Sequence, residues 1–219
     1  MQMSDMALRQ EVIDAACAMQ ASGLSPQRSG NVSVLSGEGF LITPTGMSYE
    51  DLTPEDVAYV AMDGSQPAGQ RKPSSEWHMH QALFAARPEA RAVVHAHSPF
   101  AVALACLRED IPPFHYMIAV AGGKDIRCAD YATFGTEALA RNAVAAMTDR
   151  KACLLANHGQ LAFGDNLTSA LELAHEVEDL CAQYWRARQV GNPVLLDDAE
   201  MERVIAKFAG YGQQPGDNA

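Results

Sequence analysis

The sequence predicts an α/β fold: a mixed, largely antiparallel sheet with helices on its faces. Three observations lead there. Short apolar runs bounded by Gly, Pro, Asn or Ser alternate with longer stretches of helical period. The first two runs are close enough to pair as a hairpin, and the chain lacks the regular strand-helix-strand spacing of an all-parallel sheet. With 219 residues, 48% hydrophobic and 20% charged, the chain has the length and apolar content for one large core. A single domain over residues 1–219 is expected.

Residues 4–22 place Leu8, Val12, Ala15, Ala16 and Met19 on one helical face, and Gly23 ends the pattern. Residues 32–35 and 40–43 read as the two strands of a hairpin around Ser36-Gly37-Glu38-Gly39. Thr53 caps a short helix with Pro54 at its first position, and residues 57–62 form a strand. A loop over 65–71 leads to a helix over 75–86, with serine as N-cap and Glu76 in the first turn, where a carboxylate is electrostatically favoured. Arg87-Pro88 stops that helix, and an apolar strand over 90–97 follows. Ser98-Pro99 opens a helix to Leu107, residues 114–117 read as strand or loop, and another helix covers 135–148. The buried strand 152–156 stops at Asn157-His158-Gly159. A long helix over 166–189 buries Leu167, Ala170, Leu171, Ala174, Val177, Cys181 and Tyr184, with His175 off that stripe at the surface. Residues 199–208 form a last helix, followed by a tail expected to fray.

The chemistry gathers at strand ends. In Val93-Val94-His95-Ala96-His97 the two imidazoles share a face, because alternate side chains of a strand do, and together they can grip one metal ion. His158, at the mouth of a buried strand, is a third candidate ligand. Glu76 reads either as a simple helix-start carboxylate or as the fourth member. Three His and a Glu suit a four-coordinate zinc site, one ion per chain, with Mn2+ or Co2+ as possible substitutes. His78-Met79-His80 has the same spacing on a helix, where positions two apart point about 200° from each other. Those two histidines are therefore assigned to packing or solvent. Ser29-Gly30-Asn31 and Thr45-Gly46 lie at the two ends of the hairpin pair, small and rich in backbone donors, and form either an anion nest or ordinary turns.

A net charge of −11 leaves no basic stripe for a nucleic acid backbone. No run approaches the roughly 18 to 20 apolar residues of a membrane span, and no export signal is visible, so a soluble cytoplasmic protein is expected. Five cysteines without a C-x-x-C pair fit buried thiols in a reducing compartment. The absence of G-x-G-x-x-G and of a P-loop leaves nucleotide cofactors without support.

Taken in order, Ser29-Gly30-Asn31-Val32-Ser33, Leu41-Ile42-Thr43-Pro44-Thr45-Gly46, Pro73-Ser74-Ser75-Glu76-Trp77, Val93-Val94-His95-Ala96-His97, His115-Tyr116-Met117-Ile118-Ala119, Tyr131-Ala132-Thr133-Phe134-Gly135-Thr136, His158-Gly159 and Leu173-Ala174-His175-Glu176-Val177-Glu178 resemble the class II aldolase/adducin family, closest to its bacterial L-fuculose-1-phosphate aldolases. The resemblance covers nearly the whole chain. It implies a three-layer αβα domain in C4 homotetramers with the active site at a subunit interface. It implies zinc on His95, His97 and His158, with Glu76 as metal neighbour and acid/base. Gly30, Asn31, Thr45, Gly46, Ser74 and Ser75 would cradle the phosphate of a sugar substrate. Tyr116 would act as proton donor, and Tyr211 would close the site. The implied reaction is cleavage of a ketose 1-phosphate, L-fuculose 1-phosphate or a 5-deoxypentulose 1-phosphate such as 5-deoxyribulose or 5-methylthioribulose 1-phosphate, to dihydroxyacetone phosphate and an aldehyde. The same scaffold also resembles pentulose-phosphate 4-epimerases, dehydratases and decarboxylases, and the adducin-like modules that bind without chemistry. Asn157 and Ser29 depart from the aldolase pattern near the aldehyde half of the substrate, which stays open.

Overall fold

In the computed structural model, which describes residues 3–26 and 28–208, seven strands form one sheet. They are β1 Asn31–Ser36, β2 Gly39–Ile42, β3 Ala58–Ala61, β4 Ala92–Ala96, β5 Cys128–Ala129, β6 Ala152–Leu155 and β7 Gly159–Gly164, and their spatial order is β3-β2-β1-β4-β7-β6-β5. Every neighbouring pair is antiparallel except β5 and β6. The mixed, mostly antiparallel α/β architecture is the one expected.

Helices cover both faces. On one side α1 (Met3–Ala21), α3 (Pro99–Ala105) and α5 (Leu167–Val190) bury Val12, Ala16, Ala101, Leu104, Ala174 and Val177 against Val32, Val94, Leu154 and Ala162. On the other, α2 (Trp77–Ala86) and α4 (Glu137–Ala146) bury Met79, Leu83, Leu139 and Ala143 against Phe40, Val93, Leu155 and Leu161. Alternation along each strand produces this division, since Val93 and Val94 must face opposite layers. A last helix, α6 (Asp198–Phe208), packs on a short 3-10 helix at Tyr116–Ala121.

The structure departs from three of the expectations. Residues 114–117, expected as strand or loop, are loop only at Phe114 and His115: the His115 ring accepts the Met117 N–H, and a 3-10 helix runs from Tyr116 until Gly122 stops it at φ 93°. The helix expected from Ser75 begins at Trp77, and Glu76 is its cap residue without a capping side-chain bond. His175 is half-buried instead of lying at the surface. Strands β5 and β7 have no clear signature in the sequence. The first is two residues long, and the second, Gly-Gln-Leu-Ala-Phe-Gly, has no β-branched residue to announce it. No helix among the described residues is long and apolar enough to cross a membrane.

Candidate active site

The site forms where β1, β4 and β7 lie side by side. In register, His95 on β4 pairs with Asn31 on β1 and with Leu161 on β7, so the three side chains share the α2 face of the sheet. Gly30, just before Asn31, passes so close to β4 that a Cβ there would stand 2.5 Å from the His95 carbonyl oxygen. Only glycine permits that approach.

The His95 ring is fully buried, and its Nδ1 lies 2.8 Å from the Gln160 carbonyl oxygen. A carbonyl only accepts, so Nδ1 carries the proton and Nε2 presents a lone pair. His97, one residue past the end of β4, turns its Nε2 to 3.0 Å from that lone pair. His158 comes from the connection between β6 and β7, where Asn157 takes up the left-handed conformation (φ 54°) that Asn tolerates better than most residues. The three rings stand edge to face, with centroids 4.7 to 4.9 Å apart. Glu76 closes the group: Oε2 is 3.1 Å from His95 Nε2, and Oε1 is 3.2 Å from His158 Nε2.

These four donors fit a divalent metal. Their ligating atoms lie within 4.8 Å of one another. Zinc bonds of about 2.0 to 2.1 Å in a tetrahedron put neighbouring ligand atoms about 3.3 Å apart, close to the separations seen. Two ring nitrogens face each other at 3.0 Å and the buried Glu76 Oε1 has no hydrogen-bond partner, an arrangement that a cation among them would satisfy. Burial opposes charge on Glu76, yet His95 and His158 beside it hold its carboxyl well below the usual carboxylate range. Burial works against a charged His95 too, but Glu76 raises it above the ordinary imidazole value. Burial, helped by the neighbouring His95 and His158, lowers His97 to about 3, which leaves it a neutral ligand.

Two cavities meet at this cluster. One, of about 260 Å³, is polar and is lined by Gly30, Asn31, Thr45, Gly46, Ser74 and Ser75, together with Arg28 on its rim. The Ser74 N–H donates to the Thr43 carbonyl and the Thr45 N–H to that of Lys72, pinning the two loops together. The other, of about 290 Å³, is walled by Tyr131, Ala132 and Phe134, with Asn157 and His158 beside them. Glu76, Ser29 and Ser75 border both. Arg108 donates to Asn157 Oδ1 (2.7 Å) and lies over the Tyr131 ring, steadying that wall.

Residues 10–185 match the family described as Class II Aldolase and Adducin N-terminal domain. The chain belongs to this family. It is 52% identical over 209 residues to the 5-methylthioribulose-1-phosphate/5-deoxyribulose-1-phosphate aldolase of Rhodospirillum rubrum, covering 95% of this chain and 94% of that one. It is 45% identical to the L-fuculose phosphate aldolase of Escherichia coli K12, over 94% and 95% of the two chains. A solved L-fuculose 1-phosphate aldolase superposes with a TM-score of 0.89 at 42% identity, covering 93% of this chain and 96% of that one.

Within this family member the folded chain brings together His95, His97, His158 and Glu76, and the polar cavity beside them is lined by all six residues expected to cradle a phosphate. Tyr116 lies elsewhere: 51% exposed, it lines a separate cavity with Phe114, Met117, Leu196, Val204 and Phe208. Tyr211 falls outside the described residues. Of the two alternatives for His80, packing holds and solvent does not, because the ring is fully buried and hydrogen-bonded to Asn31 and Ser33. Arg28 joins the site without any local feature that distinguishes it from other surface residues, and Tyr131 and Phe134 join it from a stretch that carries the resemblance but to which the resemblance assigns no role.

Proposed function

We propose that this chain, a class II metal-dependent aldolase, cleaves a ketose 1-phosphate between C3 and C4 to dihydroxyacetone phosphate and an aldehyde, preferring 5-deoxypentulose 1-phosphates that end in a methyl or methylthio group. The observation that carries this reading is the position of Glu76, at the metal cluster and on the border of both cavities. A phosphate fits the polar side, met by the hydroxyls of Thr45, Ser74 and Ser75, the Asn31 amide, the backbone of Gly30 and Gly46, and the charge of Arg28. The apolar end of the aldehyde half fits the side walled by Tyr131, Ala132 and Phe134. That wall and the Rhodospirillum relative support the deoxypentulose choice over L-fuculose 1-phosphate.

His95, His97 and His158, with Glu76 alongside, would hold zinc, which would supply Lewis-acid stabilisation of the negative charge that develops as the bond breaks. Glu76 moves the proton at C3. The proton on the aldehyde oxygen is assigned to Tyr116, and because Tyr116 borders neither cavity at Glu76, it serves the site of a neighbouring copy. A cytoplasmic C4 homotetramer, with Tyr211 closing the site, completes the proposal. The test is a panel of ketose 1-phosphates and pentulose 5-phosphates, with triose phosphate release followed through a glycerol-phosphate dehydrogenase. The 5-deoxypentulose 1-phosphates should have the highest kcat/KM. Interconversion of pentulose 5-phosphates with no triose phosphate from any ketose 1-phosphate would replace the aldolase with an epimerase.

A further inference from the structure

From Glu76 Oε2, the carboxylate oxygen that also faces His95 Nε2, runs a buried chain of polar groups. Asn31 Nδ2 lies 3.0 Å from Glu76 Oε2, Asn31 Oδ1 lies 2.5 Å from His80 Nε2, and His80 Nδ1 lies 2.6 Å from Ser33 Oγ. Asn31 is 2% exposed, and Ser33 and His80 are fully buried. Asn31 and Ser33 are two apart on β1 and so face the same layer, where α2 lays His80 between them.

The donor directions along this chain admit one assignment. An ionised carboxylate only accepts, so the amide must turn its Nδ2 to Glu76 and its Oδ1 to His80. Oδ1 only accepts as well, so His80 carries its proton on Nε2. Its Nδ1 is then an acceptor, and the Ser33 hydroxyl donates to it.

From this geometry we infer that His80 is a positioning residue: it locks the Asn31 amide in the orientation that presents an N–H to Glu76, and Ser33 selects the tautomer that does so. Without the His80 donor the amide is free to flip and set Oδ1 against the carboxylate, which swaps an attraction for a repulsion beside the reacting group. The same amide lines the polar cavity, so the lock also fixes what that cavity offers a phosphate. The inference rests on the reading of Glu76 as the acid/base group.

The test compares two replacements of nearly equal shape, His80→Gln, which keeps an N–H donor, and His80→Met, which has none. Both leave the metal ligands in place, so elemental analysis should find one metal per chain in each. His80→Met should lose about 10- to 100-fold in kcat, the effect of one hydrogen bond to a charged group, and His80→Gln should recover most of it. Independently of activity, nitrogen-15 NMR of the metal-free wild type should find the His80 proton on Nε2, and Ser33→Ala should mix the tautomers. A proton on Nδ1 in the wild type, or equal kcat in the Gln and Met variants, overturns the inference. Near wild-type turnover in Glu76→Gln would instead remove the acid/base reading on which it stands.

Discussion

Glu76→Gln separates the two roles proposed for one carboxylate at this site. Its oxygen can keep the contact that Oε2 makes with Asn31 Nδ2 at 3.0 Å, so the new amide nitrogen takes the place of Oε1, 3.2 Å from His158 Nε2. An N–H facing that ring nitrogen is tolerated in the metal-free protein, and no buried group is orphaned, so the fold should hold. His95, His97 and His158 all remain, and three imidazoles hold zinc in many sites. What disappears is the group proposed to move a proton at C3, a contribution of about 10² to 10⁴ in rate. The expected result is therefore one metal per chain by elemental analysis, KM within a few-fold of wild type, and kcat lower by that factor. Solvent-deuterium exchange into dihydroxyacetone phosphate reads the same proton without the aldehyde half, and it should fall in parallel. Turnover near wild type with the metal retained would refute the reasoning and return Glu76 to the bland role of helix-start residue.

Chelation should destabilise the protein and re-addition of zinc should restore it: occupancy at about 100 times Kd is worth about 2.7 kcal/mol, or about 5 to 10 °C in Tm at this chain length, read by scanning calorimetry and absent in His95→Ala. Gly30→Ala should cost about 1 to 3 kcal/mol in urea unfolding and impair activity, because the new Cβ would stand 2.5 Å from the His95 carbonyl oxygen and 2.9 Å from Ser25 Oγ, atoms of β4 and of the preceding turn. Acid should destabilise the wild type more than His80→Gln. Burial, reinforced by His95, lowers His80 to about 3 in the folded protein from an ordinary 6.5, so below pH 6.5 the unfolded chain takes up a proton that the native state refuses. The difference between the two proteins should shrink by up to about 1.4 kcal/mol per pH unit from 6.5 down to about 3, measured by urea midpoints. Mixed oligomers of the inactive Tyr116→Phe and His95→Ala chains should regain activity, since some sites then combine an intact tyrosine with an intact metal cluster, and confirmed mixed oligomers without recovery would mean that each site is self-contained.

Local rules make much of this protein legible. The period of two on a strand puts His95 and His97 on one side whatever the rest of the chain does, and His158 marks itself by ending an apolar run before a glycine. The hairpin and the helical stripes follow from patterns a few residues long, and they carry the fold class with them. Glu76 is ambiguous in sequence, because a carboxylate at a helix start has an electrostatic reason of its own to be there. Tertiary structure decides where its side chain goes by bringing loop 72–76 beside residues 43–46 and turning the side chain onto the imidazoles. The register of β1 against β4, which sets Asn31 beside His95, is a pairing of residues distant in sequence that no local pattern encodes. His80 shows the limit most clearly. The 200° between positions two apart on a helix correctly separates His78 from His80, but which of the two would meet a polar strand face, and that Asn31 and Ser33 would wait there, depended on how α2 lies across the sheet.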